Sequence, residues 1–574
     1  DRSPTNGIRC ALYVESEIPQ RAKQPIVRTG RRDLRSEEPI DDKLYGLCRD
    51  MYTKRVANKI DLNVKEAPPF ETERFVHEKI EIDLGYGRQL PIHLLRPKEH
   101  SKPLQPIIYF PGIGNFQVDY EFPHQPHDVA ENVPPSVRRN PRTGLANVWN
   151  KLVFLAESGR AVVYPVYSGS FARKAGSEWQ IHQYFELART IDYLETRADM
   201  DHEKIGYVGA SFGASNGIRY LALDDRIRAG VLCHGGLTWH KQLLPQYDPL
   251  NFAPRLKTPV LLINAGSDTA YPLSDSVMPM YDLIATAPQD KALILFQGDH
   301  MTHYHSDRDN IWKLDTLAWL DMYLGPAGDR HEYDQQIARA NFAVVRGDWA
   351  EAAEHYRSAM ELEPDRSESW TDTQRKQFAG MAGLWAAVAL VTAGGEDDQT
   401  VCDTIMTHLP DARGIHCARL LQACLLRPDM EVALDVQVYA RKLADRLDEL
   451  PEGVRPEIAE ACALGNLRRG APAEALELLA REFEGVELSQ GQRALRFAIA
   501  ALAHQQLGQP DDARARLDDA VKLIDSSLPK QDDGTVNPHF AMRNQKLRET
   551  CLIAELLRRE AEELLQRPSR PANE

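Results

Sequence analysis

The chain has 574 residues, 43% of them hydrophobic, and a formal net charge of −15. That length exceeds one ordinary domain and calls for roughly two to four. The acidic balance excludes nucleic acid and an anionic membrane surface as default partners, because both need clustered Lys and Arg. Eight cysteines (Cys10, Cys48, Cys233, Cys402, Cys417, Cys424, Cys462 and Cys551) are scattered without a C-x-x-C pair, which predicts reduced thiols rather than a disulfide framework. No apolar run is long enough to predict a transmembrane helix. The chain opens at Asp1 with no charged-then-apolar leader, and is expected to be part of something longer.

In chain order, residues 1–72 are rich in Arg, Glu, Asp and Pro without a long periodic segment, and predict an irregular lead-in that wraps the next domain. Val76, Ile80, Ile82 and Leu84 alternate with polar residues, Gly85-Tyr86-Gly87 turns, and Leu90, Ile92 and Leu94 alternate back. This is a hairpin signal, placed at the antiparallel edge of a sheet. Pro106-Ile107-Ile108-Tyr109-Phe110 predicts a central strand running into the glycine-bearing loop Pro111-Gly112-Ile113-Gly114-Asn115. Residues 117–150, with Pro123-His124-Gln125-Pro126-His127 and Pro134-Pro135, then interrupt the alternation. They read equally as a lid or substrate wall over a site and as a passive surface loop. A helix around Val148 to Ser158, a strand Ala161–Tyr164, a helix Ile181–Arg197 and a strand Ala229–Cys233 continue the pattern of a doubly wound, mostly parallel sheet.

Within that pattern, Ile205-Gly206-Tyr207-Val208 leads into Gly209-Ala210-Ser211-Phe212-Gly213 and a helix-compatible stretch. Strand, sharp turn and helix are the context of a nucleophile elbow, where glycines flank the serine because the two backbones pass too close for side chains. A bare G-x-S-x-G is weak evidence, and its partners carry the argument. The apolar run Pro259–Ile263 ends at Asn264-Ala265-Gly266-Ser267-Asp268, and Ala292–Phe296 ends at Gln297-Gly298-Asp299-His300. Serine needs an imidazole to take its proton and a carboxylate to hold the correct tautomer. Ser211, Asp268 and His300 occur in the order nucleophile, acid, base that the α/β-hydrolase fold uses. The N–H groups of Phe212 and Ile113 are the expected oxyanion donors, the latter good to one residue. Each choice has a competitor. Asp275 lies near Asp268, and His303 and His305 share the loop of His300. The run His300-x-x-His303-x-His305 also reads as metal ligands, a weaker reading without a carboxylate at a known spacing. Neither a metal nor a cofactor is expected. Tyr120, Phe122 and Trp179 are candidate substrate contacts.

Gly325-Pro326-Ala327-Gly328 breaks the pattern, and beyond it the strand signal ends. Gly347, Trp349, Ala352, Tyr356, Ala359 and Pro364 fit the spacing of a tetratricopeptide repeat. Weaker copies start at Gly470 and Gly508, and Arg548–Gln566 predicts a long terminal helix. Such an array either binds a protein or peptide partner or serves as a helical support.

The stretches Ile108–Gly112, Gly159–Tyr167, Ile191–Arg197 and Asp248–Pro254 resemble the dienelactone-hydrolase or prolyl-oligopeptidase-like α/β-hydrolase domains fused to bacterial serine/threonine protein kinases. The resemblance covers residues 75–326 and implies that Ser211, Asp268 and His300 occupy the family's triad positions. The family usually carries Trp after the serine, where this chain has Phe212. The backbone N–H survives that change, while the pocket shape differs. Asn6-Gly7-Ile8-Arg9-Cys10 resembles the last strand of a formylglycine-generating-enzyme-like (sulfatase-modifying-factor) domain, implying that such a domain and a kinase precede the chain.

The expected architecture is therefore a lead-in (1–72), an α/β-hydrolase domain (73–326, with the insertion 117–150) and an all-α tetratricopeptide-like domain (327–574). The expected function is a serine carboxylic-ester hydrolase working through an acyl-serine on a small-molecule ester or acyl substrate, within a multidomain signalling protein. The alternatives are a peptidase of the prolyl-oligopeptidase type and a non-catalytic scaffold. A cytoplasmic location is favoured, with tethering through upstream sequence as the alternative.

Overall fold

Parallel strands covered on both faces are apolar along their whole length, because neither face meets water. Five short runs here have that character: β5 (Pro106–Phe110), β6 (Ala161–Pro165), β7 (Ile205–Ala210), β9 (Val260–Ala265) and, after its first residue, β10 (Lys291–Phe296). The computed structural model describes residues 32–57, 60–85, 87–112, 152–167, 178–296, 298–300, 311–327, 332–362, 384–393, 415–426, 434–483, 485–527 and 545–566. Two compact units divide the chain, Asp1–Gly328 and Asp329–Glu574.

In the first unit those five strands join β8 (Ile227–Cys233), the long hairpin β3 (Phe75–Gly85) and β4 (Arg88–Pro97), and the two-residue strands β1 (Lys65–Glu66) and β2 (Phe70–Glu71). The sheet order is β1-β3-β4-β6-β5-β7-β8-β9-β10, with β2 also on β3. From β6 to β10 all neighbours are parallel, while β4 meets β6 antiparallel. The sheet is thus mixed, parallel through the half that carries the candidate site. The hairpin turns where Gly85 and Gly87 hold φ of 78° and 71°, left-handed values that favour glycine. One buried ion pair fastens the sheet to the last helix of the unit. Arg160, fully buried, donates to Asp321 Oδ1 (2.6 Å), Gln105 Oε1 (3.0 Å) and Ser158 Oγ (3.1 Å).

The lead-in departs from expectation. Within 1–72, residues Asp42–Ala57 form helix α1, and β1 and β2 follow it. Tyr45, Cys48 and Tyr52 make its buried stripe, with Tyr45 and Tyr52 set edge-on to Phe252 at 5.5 and 5.8 Å. Tyr52 Oη donates to the carbonyl of Gln246 at 2.7 Å. Leu44, Leu47 and Met51 lie exposed on the same helix. They surround it with apolar residues in the sequence, and this hides the periodicity. Residues 6–10, the insertion 117–150, and His303 and His305 lie outside the described residues.

The second unit is helical, with no strand among its described residues. The first unit carries α2 (Trp179–Leu194), α3 (Phe212–Leu223), α4 (Met278–Leu283) and α5 (Ile311–Leu324), and the helices of the second unit follow. These are α6 (Glu332–Arg346), α7 (Trp349–Glu361), residues 384–393, α8 (Ile415–Cys424), α9 (Leu434–Asp445), α10 (Arg455–Arg468), α11 (Pro472–Leu479), α12 (Gln490–Gln506), α13 (Pro510–Ser527) and α14 (Gln545–Gln566). Gly347, Gly470 and Gly508 stand in the turns of the pairs α6/α7, α10/α11 and α12/α13 with φ of 78°, 77° and 71°. Ala352, Ala359, Ala475, Ala513 and Ala520 are fully buried, as close helix packing requires. Ser489 and Gln492 form a capping box at the start of α12, satisfying two backbone donors reciprocally. No described helix is long and apolar enough to cross a membrane.

Candidate active site

Strands β5, β7, β8, β9 and β10 run parallel, so their carboxyl ends open on one side of the sheet, where an α/β fold gathers its chemistry. The turn from β7 into α3 puts Ser211 at φ 51°, ψ −106°, a backbone rarely adopted by a side-chain-bearing residue. The neighbouring glycines make that turn passable. A Cβ on Gly209 would lie 2.6 Å from the Gly213 carbonyl oxygen, and one on Gly213 would lie 2.1 Å from that of Phe110. Ser211 is further held by its N–H donating to the Cys233 carbonyl at 2.7 Å.

Asp268 and His300 arrive from the ends of β9 and β10. Ser211 Oγ lies 2.8 Å from His300 Nε2, and His300 Nδ1 lies 2.7 Å from Asp268 Oδ2. The other carboxylate oxygen of Asp268 accepts the backbone N–H of Ala270 (2.7 Å) and of Tyr271 (3.0 Å), which fixes the carboxylate plane. An ionised carboxylate only accepts. His300 therefore carries its proton on Nδ1 and leaves Nε2 to accept from the serine hydroxyl. Asp268 is buried and His300 is partly exposed, so the imidazole has a wet side. Asp275, the competing acid, instead accepts from Ser274 Oγ.

Of the remaining expected residues, Phe212 opens α3 with its backbone N–H beside the serine, and Trp179 stacks on its ring with centroids 5.0 Å apart. Ile113, Tyr120 and Phe122 lie outside the described residues. Gly112 is described, and a Cβ built on it would sit 3.5 Å from Ser211 Cβ, so the loop after β5 adjoins the serine.

Sequence reasoning missed His234. It leaves β8 on the same side of the sheet, is buried, and holds φ 57°. Its ring stands edge-on to that of His300 at 5.7 Å. One ligand-type atom from each of His234, Asp268 and His300 falls within 4.8 Å of the others. The available signal was positional, since His234 directly follows a parallel strand, as Ser211 does.

Residues 172–316 match the Dienelactone hydrolase family, a stretch holding Ser211, Asp268 and His300. A Yersinia pestis protein named "Putative carboxymethylenebutenolidase" is 24% identical over 229 residues, 38% of this chain and 79% of that protein. An Escherichia coli (strain K12) protein of the same name is 23% identical over 252 residues, 42% of this chain and 84% of that protein. Among solved structures, an acetyl xylan esterase from Paenibacillus sp. R4 matches at 14% identity and a TM-score of 0.37, covering 50% of this chain and 97% of that one. The family match makes this stretch dienelactone-hydrolase-like and supports an enzyme.

Proposed function

We propose that the chain is a serine hydrolase that cleaves small carboxylic esters through an acyl-serine intermediate. The continuous hydrogen-bonded chain from Asp268 through His300 to Ser211, set on a strained elbow, carries this reading. Ser211 Oγ attacks the ester carbonyl as its proton passes to His300 Nε2. Asp268 stabilises the imidazolium that forms and keeps the ring oriented. The tetrahedral oxyanion is met by the N–H of Phe212 and a second N–H from the loop after Gly112, which we assign to Ile113. Collapse expels the alcohol with the proton from His300, and water, deprotonated by the same ring, releases the acid.

We assign the stacked pair of Trp179 and Phe212, the latter next to the nucleophile in the chain, to an apolar substrate-facing wall. We assign Tyr120 and Phe122 to substrate contacts in the insertion 117–150. The second unit we read as a degenerate tetratricopeptide-like array with a role in binding a protein partner, supported by the three glycine turns and their buried alanines. From the resemblance to kinase-fused hydrolases we read the whole as a module of a larger signalling protein.

Fluorophosphonate labelling and p-nitrophenyl ester turnover of the full chain, beside Ser211→Ala, test the reading. Both signals are expected in the parent and neither in the variant. A folded parent that takes no label refutes it, and aminoacyl naphthylamides cleaved as fast as esters would make the enzyme a peptidase.

A further inference from the structure

His234 is held with a precision its place in the core alone does not require. Its N–H donates to the Ile263 carbonyl at 2.7 Å, and the three carbonyls that follow it are each claimed by a side chain. Asn264 Nδ2 donates to Gly235 O (2.8 Å), Ser215 Oγ to Gly236 O (2.8 Å), and Ser276 Oγ to Leu237 O (2.7 Å). A Cβ on Gly235 would meet Ala214 at 2.5 Å, and one on Gly236 would meet Ser276 Oγ at 2.2 Å. The loop is thus clamped from three sides while His234 sits at a positive φ. A non-glycine residue in that backbone region is often found where a side chain must be aimed.

The side chain is aimed at the acid and base of the site. We propose that His234, Asp268 and His300 form an inhibitory site for a divalent transition metal of the zinc type, resting on the serine-hydrolase reading above. Two imidazoles and one carboxylate are a ligand set that suits zinc and disfavours magnesium or calcium, which prefer all-oxygen shells. The three ligand atoms lie within 4.8 Å of one another, and a tetrahedral zinc spans roughly 3.3 Å between ligands at its usual bond lengths, so closure asks only for small side-chain movements.

The consequence follows from the tautomer. In the metal-free site His300 carries its proton on Nδ1, facing Asp268, and accepts from Ser211 on Nε2. A metal ion held between Asp268 and His300 Nδ1 takes the Nδ1 lone pair, and the ring's single proton moves to Nε2. That nitrogen can then no longer accept the serine proton. The ion switches off the base without touching Ser211, and its removal restores the original tautomer.

Calorimetric zinc titration of the full-length Ser211→Ala chain reads the site independently of any ester chemistry. One zinc ion per chain is expected at this site, with affinity falling at least tenfold when His234→Asn is added. Asn tolerates the positive φ, so the loop keeps its backbone. His234→Asp, which also tolerates that φ and returns a ligand oxygen, is expected to recover part of the affinity, and melting curves verify that each variant folds. In the parent, zinc is expected to suppress ester turnover and fluorophosphonate labelling together, reversed by EDTA, with the inhibitory concentration at least tenfold higher in His234→Asn relative to that variant's own metal-free rate. Zinc affinity unchanged by His234→Asn overturns the proposal even if esters are hydrolysed. Zinc binding that depends on His234 in a chain that takes no fluorophosphonate label would uphold the metal site and overturn its inhibitory role along with the hydrolase reading.

Discussion

Asp268 divides its two oxygens between different tasks, and that division predicts what a one-atom change does. Oδ1 is occupied by the N–H groups of Ala270 and Tyr271, while Oδ2 faces His300 Nδ1. In Asp268→Asn the amide oxygen must stay with the two N–H donors, which turns the Nδ2 donor toward His300. The ring then meets a donor where it met an acceptor, puts its proton on Nε2 and cannot take the proton of Ser211. A loss of roughly 10³–10⁴-fold in kcat/KM on p-nitrophenyl acetate is expected, with little change in melting temperature. An activity within tenfold of the parent would mean that Asp268 only supports the loop. The same residue shows how far the sequence could be read. Asp268 was legible because it ends an apolar run of parallel-strand type. His234 was not, since no motif marks it and only the sheet brings it to Asp268 and His300.

Among the elements, the strands that carry the site announce themselves. Burial on both faces demands unbroken apolar runs, and β3 alternates over Ile80–Leu84 because its faces differ there, while β4 is buried without a break from Ile92 to Leu95. Helix α1 was hidden because exposed Leu44, Leu47 and Met51 blur its buried stripe. Polar ties between elements are illegible by nature, since Arg160 and Asp321 look like ordinary surface residues until the fold buries them. This tie joins β6 to α5, and its guanidinium also donates to the Gly325 carbonyl at 3.2 Å. Replacing Arg160 by Met takes the guanidinium away from the buried Asp321 carboxylate, a loss of about 3–5 kcal/mol. Adding Asp321→Leu removes that buried charge and is expected to return most of that loss. Hydrogen exchange of the β5 and β6 amides measures both variants, and a double variant no better than Arg160→Met alone would mean that packing, not the charge, is what matters.

For the whole molecule, two units with separate cores imply that a titrating group in one need not be felt in the other. Glu460 in α10 supplies the case. Burial pushes its carboxyl up to about 8, against the opposing pull of Arg496, whose Nε donates to it at 2.9 Å. The folded value lies above the unfolded one, near 4.5, so the native state holds this proton more tightly. The resulting stability is fully present below about pH 4.5 and is lost as pH rises through about 8, a swing of a few kcal/mol. The loss belongs to the helical unit. Amides of Arg455–Arg468, corrected for intrinsic exchange, should lose protection between pH 6 and 8, and those of β7 should not follow. Glu460→Gln keeps an acceptor for Arg496 but cannot ionise, and is expected to flatten the pH dependence in α10. A slope that persists in Glu460→Gln would place the titrating group elsewhere, and a slope shared by β7 would show that the two units unfold as one.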